Sequence, residues 1–238
     1  MPNWVYNGLT IEGNPDEVNK LVKQMNQPFK MVHDSWNMET HQQEKKLVTY
    51  PNPVFAFWNI IKPTDMDAYM AQPEKWEGGP ITFEGNDWYN WNIRNWGTKW
   101  DVAVSANEEH PDTYMEGPTA NGDNLVVYYN FNTAWGVAEQ ALTNLSSQYP
   151  TLLFTLSYEE ETGWGGEHEY LRGEHLQGSE YNWKCRECDY EETGEPPYCE
   201  ECEYDMCPSC GWGEPDENCQ THMVQSELPP KVQVTENA

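Results

Sequence analysis

All seven cysteines of this chain fall between Cys185 and Cys219, in the order Cys185-x2-Cys188, Cys199-x2-Cys202, Cys207-x2-Cys210 and Cys219-x2-His222. No other feature constrains the fold as tightly. A Cys-x2-Cys turn sets two thiolates on one side of a tight knuckle, and two knuckles complete the tetrahedral shell that Zn2+ prefers. Four pairs therefore predict two structural zinc ions. A disulfide framework competes, but seven cysteines leave one over, and the residue that restores the count is a histidine at the same spacing. The pairs can be wired sequentially, first with second and third with fourth, or interleaved, first with third and second with fourth. Spacing does not choose between the two.

The middle of this window, Tyr198-Cys199-Glu200-Glu201-Cys202 followed by Tyr204-Asp205-Met206-Cys207-Pro208-Ser209-Cys210, resembles a ZZ-type zinc finger. That resemblance implies an interleaved cross-brace, with Cys185, Cys188, Cys207 and Cys210 on one zinc and Cys199, Cys202, Cys219 and His222 on the other. It also implies a role in binding a peptide tail or N-terminus. Every ligand is a protein side chain, so the metals are expected to hold a fold and not to catalyse.

Thirteen Lys and Arg against forty Asp and Glu give a formal charge of -27. Such a charge disfavours phosphate backbones and anionic membranes as partners. Basic, small or metallic partners fit better. The acidity concentrates from Glu159 to Glu217, where nineteen carboxylates face only Arg172, Lys184 and Arg186. Solubility explains such charge most simply, and imitation of a nucleic acid is the sharper alternative. There is no run of eighteen apolar residues, and the N-terminus lacks a basic stretch followed by an apolar core. The expected location is the cytoplasm, where reduced thiols favour zinc.

Along the chain, Trp4, Tyr6, Leu9 and Ile11 mark a first strand, with an irregularity expected at Gly8. Asn14, Pro15 and Glu17 announce a helix by cap, first-turn proline and capping box, and Val18, Leu21, Val22 and Met25 give its apolar stripe. From Lys30 to about Trp100 the pattern is irregular and proline-punctuated, an insertion with Phe55 to Ile61 as its apolar knot. Lys99 to Ser105 is read as a strand, joined through a long loop at Pro111, Gly117, Pro118 and Gly122 to a clear strand at Leu125 to Phe131. Thr133 is expected to cap a second helix carrying Val137, Ala141, Leu145 and Tyr149, and Leu152, Phe154, Leu156 and Tyr158 form one face of a last strand. Strand, helix, strand, strand, helix, strand is the order of an α+β ferredoxin-like sandwich. The expected domains are 1–165 with the insertion at about 30–98, a connector at 166–182, a zinc module at 183–224 and a disordered tail at 225–238.

Asn3 to Asn7, Trp58-Asn59-Ile60-Ile61-Lys62-Pro63, the tryptophan-rich run from Trp91 to Asp101, and Phe131-Asn132-Thr133-Ala134-Trp135 resemble the Api92-like, or YubB-type, ferredoxin-like family of phages and plasmids over most of residues 1–165. The resemblance implies a ferredoxin-like fold without an iron–sulfur cluster and an accessory role on a mobile element. It implies no activity.

Within Trp88 to Asp101, the faces of Trp88, Trp91, Trp96 and Trp100, the cations Arg94 and Lys99, and the amides of Asn90, Asn92 and Asn95 offer stacking and hydrogen-bonding groups for a nucleobase or nucleotide. The favoured reading is that these tryptophans fill a core, with Arg94 pairing a carboxylate. Glu159 to Glu161 with His168 and His175 contain metal-binding types at a solvated strand end. The chain has no phosphate-binding loop or nucleophile elbow, and no cysteine outside the zinc set, so no enzyme is expected. The leading expectation is a non-enzymatic protein whose zinc module docks a host protein through Asp189, Glu203 and Asp205. A nucleic-acid mimic, or a small-ligand binder built on Trp88 to Asp101, is the alternative.

Overall fold

Buried and more exposed residues alternate along β1 (Trp4–Gly13), and Val5, Leu9 and Ile11 are fully buried in a computed structural model that describes residues 3–71, 84–103 and 113–184 with the two-residue strands at Glu191–Glu192, Tyr198–Cys199 and Tyr204–Asp205. Two units divide the chain, Met1–Glu161 with Gly166–Ser179, and Thr162–Gly165 with Glu180–Ala238.

Asn14 caps α1 (Pro15–Met25) by accepting the Asp16 N–H at 2.9 Å. Pro15 occupies the first turn, where its missing N–H costs nothing. Val18, Leu21 and Met25 are buried at helical spacing, and the helix packs against β1 and β5 (Asn124–Ala134). Before β5 runs β4 (Tyr114–Asn121), and after it come α4 (Glu139–Gln148), β6 (Leu153–Glu160), β7 (Gly165–Leu171) and β8 (Glu174–Tyr181). The sheet order is β4-β5-β1-β6-β7-β8, whose first four strands are the ferredoxin-like arrangement. Phe131 from β5, Phe154 and Leu156 from β6, and Ala141, Leu142 and Leu145 from α4 complete its core.

Several expectations are corrected. Gly8 causes no irregularity: β1 pairs continuously through it with both β5 and β6. A Cβ there would sit 2.7 Å from Tyr128 Oη and 2.9 Å from Ser157 Oγ. The glycine thus answers to crowding by neighbouring strands. Thr133 caps no helix, because β5 runs on to Ala134 and the Thr133 hydroxyl accepts Asn7 Nδ2 at 2.9 Å. α4 starts instead at Glu139. Residues 99–103 are not a strand. Asp101 Oδ1 accepts the N–H groups of Val102 at 2.7 Å and Ala103 at 3.2 Å. Amides held by a side chain are lost to any ladder. The second strand is β4, in the stretch expected as loop. Gly117 and Pro118 fall at a register shift between Glu116 and Thr119, tolerated because β4 is an edge strand.

The insertion is more regular than its prolines suggest. β2 (Phe29–Asn37) and β3 (Gln42–Tyr50) form a separate antiparallel hairpin, followed by a 3-10 turn at Phe57–Asn59, α2 (Met66–Tyr69) and α3 (Trp88–Trp96). Its apolar knot packs as expected: Phe55 stacks on Phe131 with ring centroids 5.1 Å apart. The expected connector holds β7 and β8, turned by Arg172 and Gly173 at φ 58° and 79°. Two left-handed residues in succession are what a two-residue hairpin turn requires.

In the second unit, β9 (Trp183–Lys184) pairs with β10 (Glu191–Glu192), and β11 (Tyr198–Cys199) pairs with β12 (Tyr204–Asp205). Among the described residues no helix is long and apolar enough to cross a membrane.

Candidate functional site

α3 is defined at both ends. Asp87 Oδ1 accepts the N–H groups of Tyr89 at 3.1 Å and Asn90 at 3.3 Å, the work of an N-cap. Gly97 ends the helix at φ 87° with its N–H donating to Ile93 O at 3.1 Å. Between these caps Trp88, Asn92 and Trp96 recur every four residues on one face. That face lines a pocket of about 450 Å³. The volume lies within the ordinary range for small-ligand sites.

The other walls come from Trp4 of β1, Tyr69 of α2, and His33 and Tyr50 of the hairpin. Trp100 to Ala103, Thr113, Asn132 and Ala134 also line it, with apolar side chains from Met31, Val32 and Met70. Asn92 holds the walls together: its Nδ2 donates to Lys99 O at 2.8 Å and its Oδ1 accepts the Tyr69 hydroxyl at 3.1 Å. Burial pushes the Tyr69 phenol above its ordinary range, against the pull of that hydrogen bond. Tyr50 Oη lies 3.0 Å from His33 Nε2.

Asp101 is the anchor beneath. Its Oδ1 accepts from Phe57 N at 2.8 Å as well as from Val102 and Ala103, and its Oδ2 accepts from Trp58 N at 2.8 Å. Burial raises the Asp101 carboxyl above the usual range while these four amides work against the shift. The carboxylate thereby fixes the knot of the insertion to the segment that follows α3.

Of the residues singled out in the tryptophan-rich run, Trp88, Asn92, Trp96 and Trp100 line the pocket, with Trp96 buried and its Nε1 donating to Ile61 O at 3.3 Å. Trp91 packs edge-on against Tyr69 and Trp96 at 5.6 and 5.5 Å. Asn95 Nδ2 donates to Trp91 O within the helix at 2.8 Å. The guanidinium of Arg94, expected to pair a carboxylate, donates to Gly85 O at 2.5 Å and Asn86 Oδ1 at 3.0 Å, clamping the approach to the helix. Lys99 points its ammonium at aromatic rings, 4.6 Å from the centroid of Trp100, 4.7 Å from Trp135, 5.7 Å from Tyr89 and 5.9 Å from Trp88. Desolvation lowers the Lys99 ammonium below its ordinary value.

Cys185, Cys188, Cys202, Cys207, Cys210, Cys219, His222, Asp189 and Glu203 lie outside the described residues. Cys199 ends β11 and Asp205 ends β12, described as backbone. His168 is buried on β7 with its Nε2 3.2 Å from Tyr158 Oη, and its ring centroid is 4.5 Å from that of His175. Among the described residues no group of three His, Cys, Asp or Glu side chains is arranged to hold a metal. His33, Tyr50 and Tyr69 escape a reading of the sequence, because a hairpin and a short helix far apart in the chain converge on α3. Trp135 has one signal, its place in the family-like run from Phe131.

Comparison with curated proteins finds no match. Among solved structures, the crystal structure of protein api92 from Yersinia pseudotuberculosis aligns at 11% identity and a TM-score of 0.42, covering 78% of this chain and all of that one. Residues 99–197, from Lys99 through β4 to β8 and beyond, match the family model described as the ferredoxin-like domain in Api92-like protein.

Proposed function

We propose that this is a non-enzymatic binding protein whose pocket beneath α3 takes a small, planar, uncharged ligand of the nucleobase or nucleoside class. The single observation that carries this is the pocket of about 450 Å³ walled by Trp4, Tyr69, Trp88, Trp96 and Trp100. Indole and phenol faces stack on any planar heteroaromatic, while His33, Tyr50 and Asn132 supply polar edges. Among the described lining residues there is no Lys or Arg, and the chain carries a formal charge of -27. Each added phosphate should therefore weaken binding. Thermal shift and tryptophan fluorescence against nucleobases, nucleosides and their phosphates test this. A saturable response that falls from nucleoside to triphosphate is expected, reduced in His33→Ala; no response to any of them overturns the reading.

A second reading, the acidic zinc module as a docking surface for a protein of the host of a phage or plasmid, is favoured by one observation. Two short antiparallel ladders lie among the first two ligand pairs: β9 and β10 stand before and after Cys185 and Cys188 in sequence, and β11, which includes Cys199, and β12 stand before and after Cys202. A Cys-x2-Cys pair next to two short paired strands suits a zinc knuckle. The residues fit two structural Zn2+ ions held wholly by side chains. Capture of one discrete host protein, lost on Cys199→Ser with Cys202→Ser, supports this reading; capture that survives loss of the module overturns it.

A further inference from the structure

Lys99 is enclosed by two loops that are locked together. Gly97 and Gly136 approach so closely that a Cβ on Gly136 would lie 3.2 Å from Gly97 O, and one on Gly97 would meet Val137 O at 2.7 Å. Thr98 bonds to both backbone groups of Ala134. The next residue on each side of that clasp carries the site: Lys99 on one loop and Trp135 on the other. Trp135 adopts φ 63°, and its ring centroid lies 4.7 Å from the Lys99 ammonium. A bulky residue rarely takes this left-handed conformation, and such strain gathers at functional sites. Trp100 and Trp135 stay 40% and 50% exposed, so the enclosure opens to solvent.

We propose that Trp88, Tyr89, Trp100 and Trp135 form an aromatic cage for a quaternary trimethylammonium group, as in choline or Nε-trimethyllysine, with the Lys99 ammonium as a tethered occupant that such a ligand displaces. The distances favour the larger cation. The bare ammonium sits against Trp100 and Trp135 at 4.6 and 4.7 Å but stands off Tyr89 and Trp88 at 5.7 and 5.9 Å. That offset leaves room for methyl groups to reach the second pair of rings. An ammonium also loses strong hydration on entering the cage, and the lowered affinity of Lys99 for its proton records that cost. A trimethylammonium is weakly hydrated and keeps its charge at every pH. The acidity of the whole chain draws cations toward it.

The cage shares Trp88 and Trp100 with the pocket but does not rest on the pocket's occupant: Tyr89 and Trp135 are not among the pocket residues, and His33 and Tyr69 are not among the cage rings. The test uses the full chain, with choline, Nε-trimethyllysine and the neutral isostere 3,3-dimethylbutan-1-ol, read by tryptophan fluorescence and by indole N–H signals. Lys99→Met is expected to bind choline about tenfold more tightly than the wild type, since a cation–ring contact contributes roughly that factor. The isostere should bind at least about tenfold more weakly than choline on the same ground. Trp135→Ala should lose choline while keeping any nucleoside response. In the wild type, choline should move the Lys99 Cε and Trp135 indole signals with one common dissociation constant. Absence of a saturable choline response in Lys99→Met, equal binding of the isostere, or wild-type signals that choline leaves in place would each overturn the proposal. A stronger response to Nε-trimethyllysine than to choline assigns the group to a modified protein side chain; the reverse assigns it to a free headgroup.

Discussion

Thr98 Oγ1 donates to the carbonyl of Ala134 at 3.0 Å and accepts the Ala134 N–H at 3.1 Å, with Thr98 fully buried. One hydroxyl therefore satisfies both backbone groups of the last residue of β5. Lys99 and Trp135, the residues that follow the two partners, are set against each other by this pair.

Thr98→Val keeps the volume but removes the hydroxyl, leaving a buried N–H and a buried C=O without that partner. The expected cost is about 2 to 3 kcal/mol of unfolding free energy, read as a lowered urea midpoint at unchanged slope. Thr98→Ser retains both hydrogen bonds and should lose only about 1 kcal/mol for the missing methyl. Equal losses in the two variants would mean that packing, not the hydroxyl, holds the clasp.

Local signals in the sequence carry further than distant ones. α1 is legible because its cap, its proline and its stripe all lie within Asn14 to Met25. Over residues 99–103 the expected strand fails because Asp101 takes the amides of Val102 and Ala103, and its further bonds to Phe57 and Trp58, which fix it there, are not announced by anything near Asp101 in sequence. β7 and β8 are hidden by charge, since Glu167 and Glu169 alternate with inward His168 and Tyr170 in a stretch whose acidity suggests solvent. The spacing of Trp88, Asn92 and Trp96 is readable as a helix face once Asp87 is seen as its cap. The pocket opposite it is not, because its remaining walls arrive from β1, β5, the β2–β3 hairpin, α2 and the segment after α3.

Metal removal tests the module beyond Trp183. Two Zn2+ per chain are expected on metal analysis, and a chelator should abolish any folded signal from residues 183–224, since closed four-ligand sites supply folding free energy directly. The six-stranded domain has a core of its own in Val5, Leu9, Phe131, Phe154 and Leu156, so its thermal midpoint should not move. A stoichiometry near zero after purification under reducing conditions, or a domain midpoint that falls with the chelator, contradicts this division.

Lys99 should leave a signature in the pH dependence of stability. Desolvation lowers its ammonium below the ordinary 10.5, so the folded chain gives up this proton at a lower pH than the unfolded chain does. Between the two values the unfolded state holds more protons, and stability therefore rises with pH through that window. The contribution is complete above 10.5 and disappears as pH falls through the folded value. Lys99→Met carries no such proton. The difference in unfolding free energy between wild type and Lys99→Met, followed by urea denaturation across the alkaline range, should therefore shift in favour of the wild type as pH rises. A difference that stays flat, or turns the other way, would mean that the rings of Trp100 and Trp135 stabilise the cation more than its lost water destabilises it. That outcome would place Lys99 among lysines with a raised value and reverse the sign of the slope.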